Sequence, residues 1–347
     1  MTTPDAAIAT DIAAAPALRW AMVGASDIAA TQVLPAIRAT GGQAVVVRSG
    51  NAEHAAAWAA EHGVPHAVTD LAAALQREDV DAVYVSSVNQ QHREQVEAAA
   101  AAGKHVLAEK PLALTLADAR AMVEACRAAG VVMATNHHLP ASPTHRLIKA
   151  EVAAGRIGQV RAIRVHHAVQ LPERLGGWRL QDPEGGGVAL DVTVHDAAAV
   201  RAILGRDALS VTAHGANQDN AAGGPFDALM TTSMWDGDVL VSTHDAYNNP
   251  HVQTSLHVLG TEGALIGEHC NTGDPVGRVT LWRDTVSEVL EIGERENLYE
   301  RTLRAFNAAV AGTGQVIVTG EDGVRSLAFS LAVLESMRTG ERAVVAR

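Results

Sequence analysis

Short apolar runs alternate with helix-length amphipathic stretches from Trp20 to Asn136. "WAMVGAS", "QAVVVRS", "AVT", "DAVYVSS", "HVLAE" and "VVMATN" read as strands, each too short and too evenly apolar for a helix. Between them "DIAATQVLPAIRAT", "AEHAAAWAAEHG", "DLAAALQRED", "HREQVEAAAAAG" and "TLADARAMVEACRAAG" read as helices. Gly63, Gly103 and Gly130 stand where helix C-terminal caps are expected. This rhythm predicts a parallel sheet covered by helices on both faces.

The rhythm changes near Pro140. "ASPTHRLIKAEVAAG" reads as a helix and "QVRAIRVHHAV" as a strand. The runs "LSVTAHGA", "DALMTTSMW", "DVLVSTHDAY", "TSLHVLGTEG" and "GRVTLWRD" follow, with turn signals such as "DGD" and "TEG" among them. Two helices, "LYERTLRAFNAAVAG" and "EDGVRSLAFSLAVLESMRTG", close the chain. The expected fold class is therefore α/β: an N-terminal doubly wound parallel-sheet domain over 19–138, then an α+β domain over 139–347 with a large, mostly antiparallel open sheet. Residues 1–18 read as a flexible extension.

Composition narrows this picture. The 347 residues suit two domains. A net charge of −12 disfavours nucleic acid and anionic membranes as partners. No apolar run is long enough to span a bilayer. Cys126 and Cys270 lie far apart in sequence and suggest a reduced, cytoplasmic protein without a disulfide framework. Sixteen histidines raise the question of a metal, but no H-E-x-x-H or Cys/His cluster is present, and none is expected.

Candidate chemistry begins at "MVGASDIA". Gly24, Ser26 and Ala29 follow the G-x-G-x-x-A spacing, with Ser26 in place of the second glycine and Ala25 and Ile28 in the same turn. Gly24 allows the tight turn, and the helix N-terminus would take a pyrophosphate. The plainer alternative is an ordinary turn with Ser26 or Asp27 as N-cap. The second strand ends at Arg48-Ser49 without the acidic residue that holds an NAD ribose. A guanidinium and a hydroxyl suit a 2′-phosphate, so NADPH is expected, with NAD as the alternative. Ser86, Ser87 and Asn89 fall at the carboxyl edge of the fourth strand, where ligands bind in such folds; His92 either joins them or caps the next helix.

Asn89-x-x-His92, the Glu109-Lys110-Pro111 that ends "HVLAEKP", and a glycine run followed by D-x-x-x-H in "GGGVALDVTVHD" resemble the Gfo/Idh/MocA sugar oxidoreductases from Arg19 onward. The resemblance implies a Rossmann dinucleotide-binding domain followed by a substrate-binding domain, and NADPH-dependent reduction of a cyclic keto-sugar, with Lys110, Asp191 and His195 at the reacting carbonyl. It places Glu109, Lys110 and Asn136 near the cofactor, and His138, Trp178 and Arg179 near the sugar. His54 stands where related sugar reductases carry an arginine, and the segment between Trp178 and the glycine run is one residue shorter.

If "DVTVHDA" is helical, Asp191 and His195 share a face, and Asp191 can hold His195 in one tautomer and favour its protonated form. Either His195 or Lys110 would donate the proton while the other orients the substrate. The plainer alternative is a surface i,i+4 pair and an unrelated lysine. An aromatic ring at Trp178 beside the Arg179 cation suits a polyhydroxylated ring; a tryptophan packed on a domain edge is the alternative. Neighbouring residues on a strand point to opposite faces, so His137 and His138, like His166 and His167, should not enter one site together. Two other functions fit the fold: an NAD(P)-dependent sugar or cyclitol dehydrogenase, and a non-catalytic dinucleotide-binding regulator. The resemblance leaves monomer and homo-oligomer through the C-terminal sheet both open.

Overall fold

The structure, a computed structural model, describes residues 12–347. Most of the extension expected over 1–18 lies outside the described residues. The first unit is built on strands β1 (Arg19–Val23), β2 (Gln43–Arg48), β3 (His66–Val68), β4 (Ala82–Val85), β5 (His105–Ala108) and β6 (Met133–Thr135). They form one sheet in the order β3-β2-β1-β4-β5-β6, with every pair parallel. Helices α1 (Leu34–Ala39), α2 (Ala52–His62), α3 (Leu71–Leu75), α4 (His92–Ala101) and α5 (Leu116–Ala128) make the crossovers. Central strand residues such as Met22, Val83 and Tyr84 are fully buried, as continuous apolar strands require. The strand order reverses between β1 and β4, and ligands of this fold bind at that switch point.

The second unit holds α6 (Pro143–Ala153), β7 (Val160–Ala168), α7 (Gly176–Gln181) and α8 (Val194–Leu204). Strands β8 (Ala208–Ala216), β9 (Ala228–Trp235), β10 (Val239–Ala246), β11 (Ser255–Gly260), β12 (Ala264–Glu268), β13 (Arg278–Arg283) and β14 (Val286–Leu290) follow. After α9 (Leu298–Val310) and α10 (Gly320–Thr339) comes β15 (Ala343–Val344). The sheet runs β14-β13-β12-β11-β7-β10-β9-β8-β15 and is antiparallel except where β7 lies parallel to β10. One face of β7, β9 and β10 is buried (Val165, Ser233, Val241), and the other shows Met230 and Leu240 to solvent. That alternation is the period-two pattern of a half-covered sheet.

The described residues divide by their contacts into 12–137 with Tyr299–Val324, and 138–298 with Arg325–Arg347. The sequence pattern assigned all of 139–347 to the second domain. The difference has a packing cause: Phe306 of α9 stacks on Trp20 at 5.2 Å, and Thr319 bridges Ala134 on edge strand β6. The returning segment therefore closes an edge that would otherwise expose unpaired backbone groups.

Candidate active site

The turn after β1 starts with Gly24 at φ 117°. A Cβ there would lie 2.6 Å from the Ser86 carbonyl carbon, so only glycine lets the β1 and β4 loops meet. Ser26 Oγ accepts from Ala29 N at 3.2 Å and is 2.9 Å from Ser86 Oγ, whose own proton reaches Gly24 O at 3.2 Å. Ser26 thus caps the helix, and its hydroxyl ties the two loops of the switch point together. Ala25 and Ile28 are half-buried in the same turn. After its first residues, Asp27 and Ile28, the helix passes through a π turn, Ala29–Val33.

At the β2 tip Arg48 donates from Nε to Thr69 O at 3.0 Å, and its Nη1 is 3.5 Å from Gln91 Oε1. Ser49 Oγ lies 3.4 Å from His54 Nδ1. Arg48, Ser49 and His54 therefore gather at one place, and the tip itself carries no carboxylate.

Glu109 is buried at the end of β5. Its Oε1 accepts from Tyr84 Oη at 2.6 Å and Asn136 Nδ2 at 2.5 Å, and Oε2 accepts from the Lys110 backbone N–H at 3.2 Å. Burial pushes this carboxyl above its usual range, against the pull of these donors and of the Lys110 charge. The same network fixes the backbone that carries Lys110. Asn136 Oδ1 remains buried without a hydrogen-bond partner. Such an orphaned acceptor at the carboxyl edge of the sheet, with the close-packed Gly24 turn, fits a bound dinucleotide.

His92 corrects the expectation for the β4 loop. It is fully buried, with Nδ1 3.1 Å from Leu112 O and Nε2 3.1 Å from Ser87 O. Its single neutral-form N–H donates to one of these carbonyls, and the buried ring ties two loops together and offers no polar edge to a cofactor. Ser87 Oγ turns toward Gln95 Oε1 at 2.7 Å, and Asn89 opens a short 3-10 turn.

In the second unit the glycine run leads into a π turn, Ala189–Thr193, which joins α8. A Cβ on Gly186 would stand 2.7 Å from Trp178 O and 2.9 Å from Arg179 O, so the glycine lets the run pack against α7. Arg179 Nε then donates to Asp191 Oδ2 at 2.7 Å, and its guanidinium sits 4.7 Å from the centre of the Trp178 ring. Tyr247, just past β10, donates its hydroxyl to the same oxygen at 3.0 Å. The carboxylate expected to orient His195 is thus gripped at Oδ2 by Arg179 and Tyr247. The His195 ring packs edge-on against His138 at 4.6 Å. His138 lies past β6, ahead of a 3-10 turn over Leu139–Ala141, so the strand-alternation argument does not apply to it. It does apply on β7: His167 faces Asp196 at 2.7 Å, and His166 packs on His244 at 5.0 Å.

Sequence reasoning missed Tyr84 and Tyr247. Each reads as an apolar strand residue, and its one polar atom finds its partner far along the chain. Trp178, 39% exposed, and Arg179 lie on α7, which no sequence pattern had marked. Burial pushes the thiols of Cys126 and Cys270 up to about 12, and both are unpaired. Among the described residues no cluster of three or more His, Cys, Asp or Glu could hold a metal ion, and no helix is long and apolar enough to cross a membrane.

Residues 18–137 match the oxidoreductase family with an NAD-binding Rossmann fold, and residues 145–266 match the GFO/IDH/MocA C-terminal domain. The chain is 48% identical to 1,5-anhydro-D-fructose reductase of Ensifer adhaerens over 94% of its own length and 98% of that protein's. It is 28% identical to D-xylose 1-dehydrogenase (NADP(+)) 2 of Haloferax volcanii over 93% of its length and 98% of that protein's. Aldose-aldose oxidoreductase from Caulobacter crescentus, in a solved structure with glycerol, has the same fold (TM-score 0.85, 23% identity, 95% of this chain and 100% of that one). With a Rossmann sheet ordered 3-2-1-4-5-6, a mostly antiparallel second sheet and both sequence signatures in place, the chain belongs to the Gfo/Idh/MocA family of oxidoreductases.

Proposed function

We propose that this protein reduces 1,5-anhydro-D-fructose, or a closely similar cyclic keto-sugar, with NADPH, giving 1,5-anhydro-D-mannitol. The observation that carries the reading is 48% identity running through the whole of the named reductase. When bound, the nicotinamide supplies the hydride. Gly24, Ala25, Ser26 and Ile28 would hold the pyrophosphate, and Arg48, Ser49 and His54 the 2′-phosphate. Ser86, Ser87, Asn89, Glu109 and Asn136 would line the nicotinamide end, where Asn136 Oδ1 can accept a carboxamide N–H.

Carbonyl reduction also needs a proton at oxygen. Lys110 polarises the carbonyl and His195 delivers that proton. Asp191 balances the His195 charge, while Arg179 and Tyr247 fix the carboxylate. Trp178 and Arg179 present an apolar ring and a multi-donor cation to the sugar, and His138 buttresses the His195 ring. A positioned acid of this kind contributes roughly 10²–10⁴-fold.

A second reading, an NAD(P)-dependent sugar or cyclitol dehydrogenase, draws on the xylose dehydrogenase likeness. A panel of keto-sugars with NADPH and NADH, and of sugars and cyclitols with the oxidised cofactors, separates the two. The proposal expects the highest kcat/KM for 1,5-anhydro-D-fructose with NADPH. Faster oxidation of an aldose or cyclitol would replace it with the second reading.

A further inference from the structure

A second acidic pair lies in the same unit as Asp191 and His195 and has no part in the mechanism above. Asp196 on α8 and Asp245 on β10 are 1% and 0% exposed. Asp245 Oδ2 accepts from Thr193 Oγ1 at 2.5 Å and from Thr243 Oγ1 at 3.2 Å. Asp196 Oδ1 accepts from His167 Nδ1 at 2.7 Å. The remaining oxygens, Asp196 Oδ2 and Asp245 Oδ1, are buried without a hydrogen-bond donor. Asp245 stands beside His167 in the β10–β7 register, and His167 in turn meets Asp196, so the two carboxyl groups gather on the same face of the sheet. Two carboxylates are acceptors only and cannot bond each other. One proton between them satisfies both oxygens and removes one of two like charges from a dry site.

We propose that Asp196 and Asp245 share one proton, and that this protonated pair acts through Thr193 as a positioning device for Asp191 and His195. The inference rests on the catalytic roles given to those two residues above. Thr193 lies midway between them, in the π turn Ala189–Thr193. π turns are rare and short, and this one is pinned by the Thr193 hydroxyl on Asp245.

Few charges face the pair. His167 on β7 is its direct partner. His145 on α6 lies near His167, and burial lowers it to about 4, so it stays neutral. Cys270, after β12, is held protonated by burial. His244, on β10 itself, senses the Asp245 charge but is lowered chiefly by burial. Burial pushes Asp196 up to about 7 and Asp245 well above the usual carboxyl range. Loss of the shared proton on the alkaline side leaves two buried like charges in contact with His167. The pair then separates and the π turn loses its anchor.

Asp245→Asn tests this, because an amide keeps the shape. It donates to Asp196 Oδ2, accepts from Thr193, keeps the pair at a single negative charge and has no proton to lose. Kcat and KM are measured with 1,5-anhydro-D-fructose and NADPH from neutral to alkaline pH for the full-length wild type, Asp245→Asn, Asp245→Ala and Thr193→Val. NADPH binding is followed by fluorescence. The wild type should lose kcat as pH rises in two ionisations, that of the His195 acid and that of the pair, and Asp245→Asn should keep neutral-pH kcat and show the His195 ionisation alone. Asp245→Ala and Thr193→Val should lower kcat about tenfold to a hundredfold, the cost of small misplacements of reacting groups. Their NADPH affinity should not change. An Asp245→Asn enzyme with both wild-type ionisations, or one as slow as Asp245→Ala, overturns the proposal; so does a wild-type profile in Thr193→Val. The shared proton is also read without turnover, as the infrared C=O stretch of a buried carboxylic acid. It should be present in the wild type at neutral pH and absent from Asp245→Asn. Its presence alongside a wild type that reduces no keto-sugar keeps the pair and defeats only the assigned reaction; its absence from the wild type defeats the pair.

Discussion

Glu109 and Asp191 are both buried carboxylates at the sites proposed for chemistry, and they are held in opposite ways. Glu109 is surrounded by neutral donors: the Tyr84 hydroxyl, the Asn136 amide and the Lys110 backbone N–H. Asp191 is held at one oxygen by the Arg179 guanidinium and the Tyr247 hydroxyl. The first arrangement sets the backbone that carries Lys110. The second places a cation on the carboxylate and links it to α7, where Trp178 lies beneath the same guanidinium. Neutral hydrogen bonds suit a scaffold at a strand end. A charge-assisted bond suits a carboxylate proposed to work beside the reacting groups.

Removing the cation from the second arrangement should have the largest effect. Arg179→Ala leaves Asp191 buried without its counter-charge, and breaking a buried pair costs about 3–5 kcal/mol. Thermal unfolding should register most of that loss, and the sugar KM should rise far more than the NADPH KM. A change confined to the NADPH constant would move Arg179 into the cofactor site.

Next come the two groups assigned to the carbonyl. Lys110→Ala and His195→Ala should each lower kcat by about 10²-fold or more. NADPH binding, measured by fluorescence titration, should change far less. Near wild-type turnover in both variants would remove the assignment.

Tyr84→Phe probes the neutral arrangement. A buried carboxylate short of one donor costs about 1–3 kcal/mol, visible in denaturant unfolding. Its pH dependence has a definite sign. Burial raises the folded Glu109 above its unfolded value, so the stability it contributes is complete below the unfolded value and is lost as pH rises through the folded one. Loss of the Tyr84 donor raises the folded value further, and the penalty of Tyr84→Phe should therefore grow from acidic to neutral pH. A pH-independent penalty would mean that Tyr84 acts through packing alone.

Most of the first region is legible in the sequence, and much of the second is not. Parallel strands are continuous apolar runs, their helices end at glycines, and E-K-P marks a strand tip, so Gly24, Glu109 and Lys110 can be placed from local pattern. In the second unit, β12, β14 and β15 are short or exposed and carry little alternation; the sheet register defines them. The π turn under Asp191 leaves no trace in hydrophobic periodicity. Asp191, Arg179 and Tyr247 come from three elements, and no local spacing links them. The return of Tyr299–Val324 to the Rossmann unit depends on an edge strand needing cover, which no local pattern encodes. His92 was legible as a polar residue near a ligand edge, but its burial was not.

The smallest expected change lies at the β2 tip. Ser49→Asp introduces both an acceptor for ribose hydroxyls and repulsion of a 2′-phosphate, and should shift kcat/KM toward NADH by roughly tenfold, about 1.4 kcal/mol. An unmoved ratio would show that Arg48, Ser49 and His54 do not read the 2′ position.

The central claim is hydride delivery from NADPH to the carbonyl carbon of a cyclic keto-sugar. Its most direct test is turnover of 1,5-anhydro-D-fructose with NADPH deuterated at the transferring position, followed by NMR of the product. The account predicts one deuterium per product molecule, on the new C–H of 1,5-anhydro-D-mannitol, with NADPH consumed in equal amount. A product without that deuterium, or no consumption of NADPH with this sugar, would contradict it.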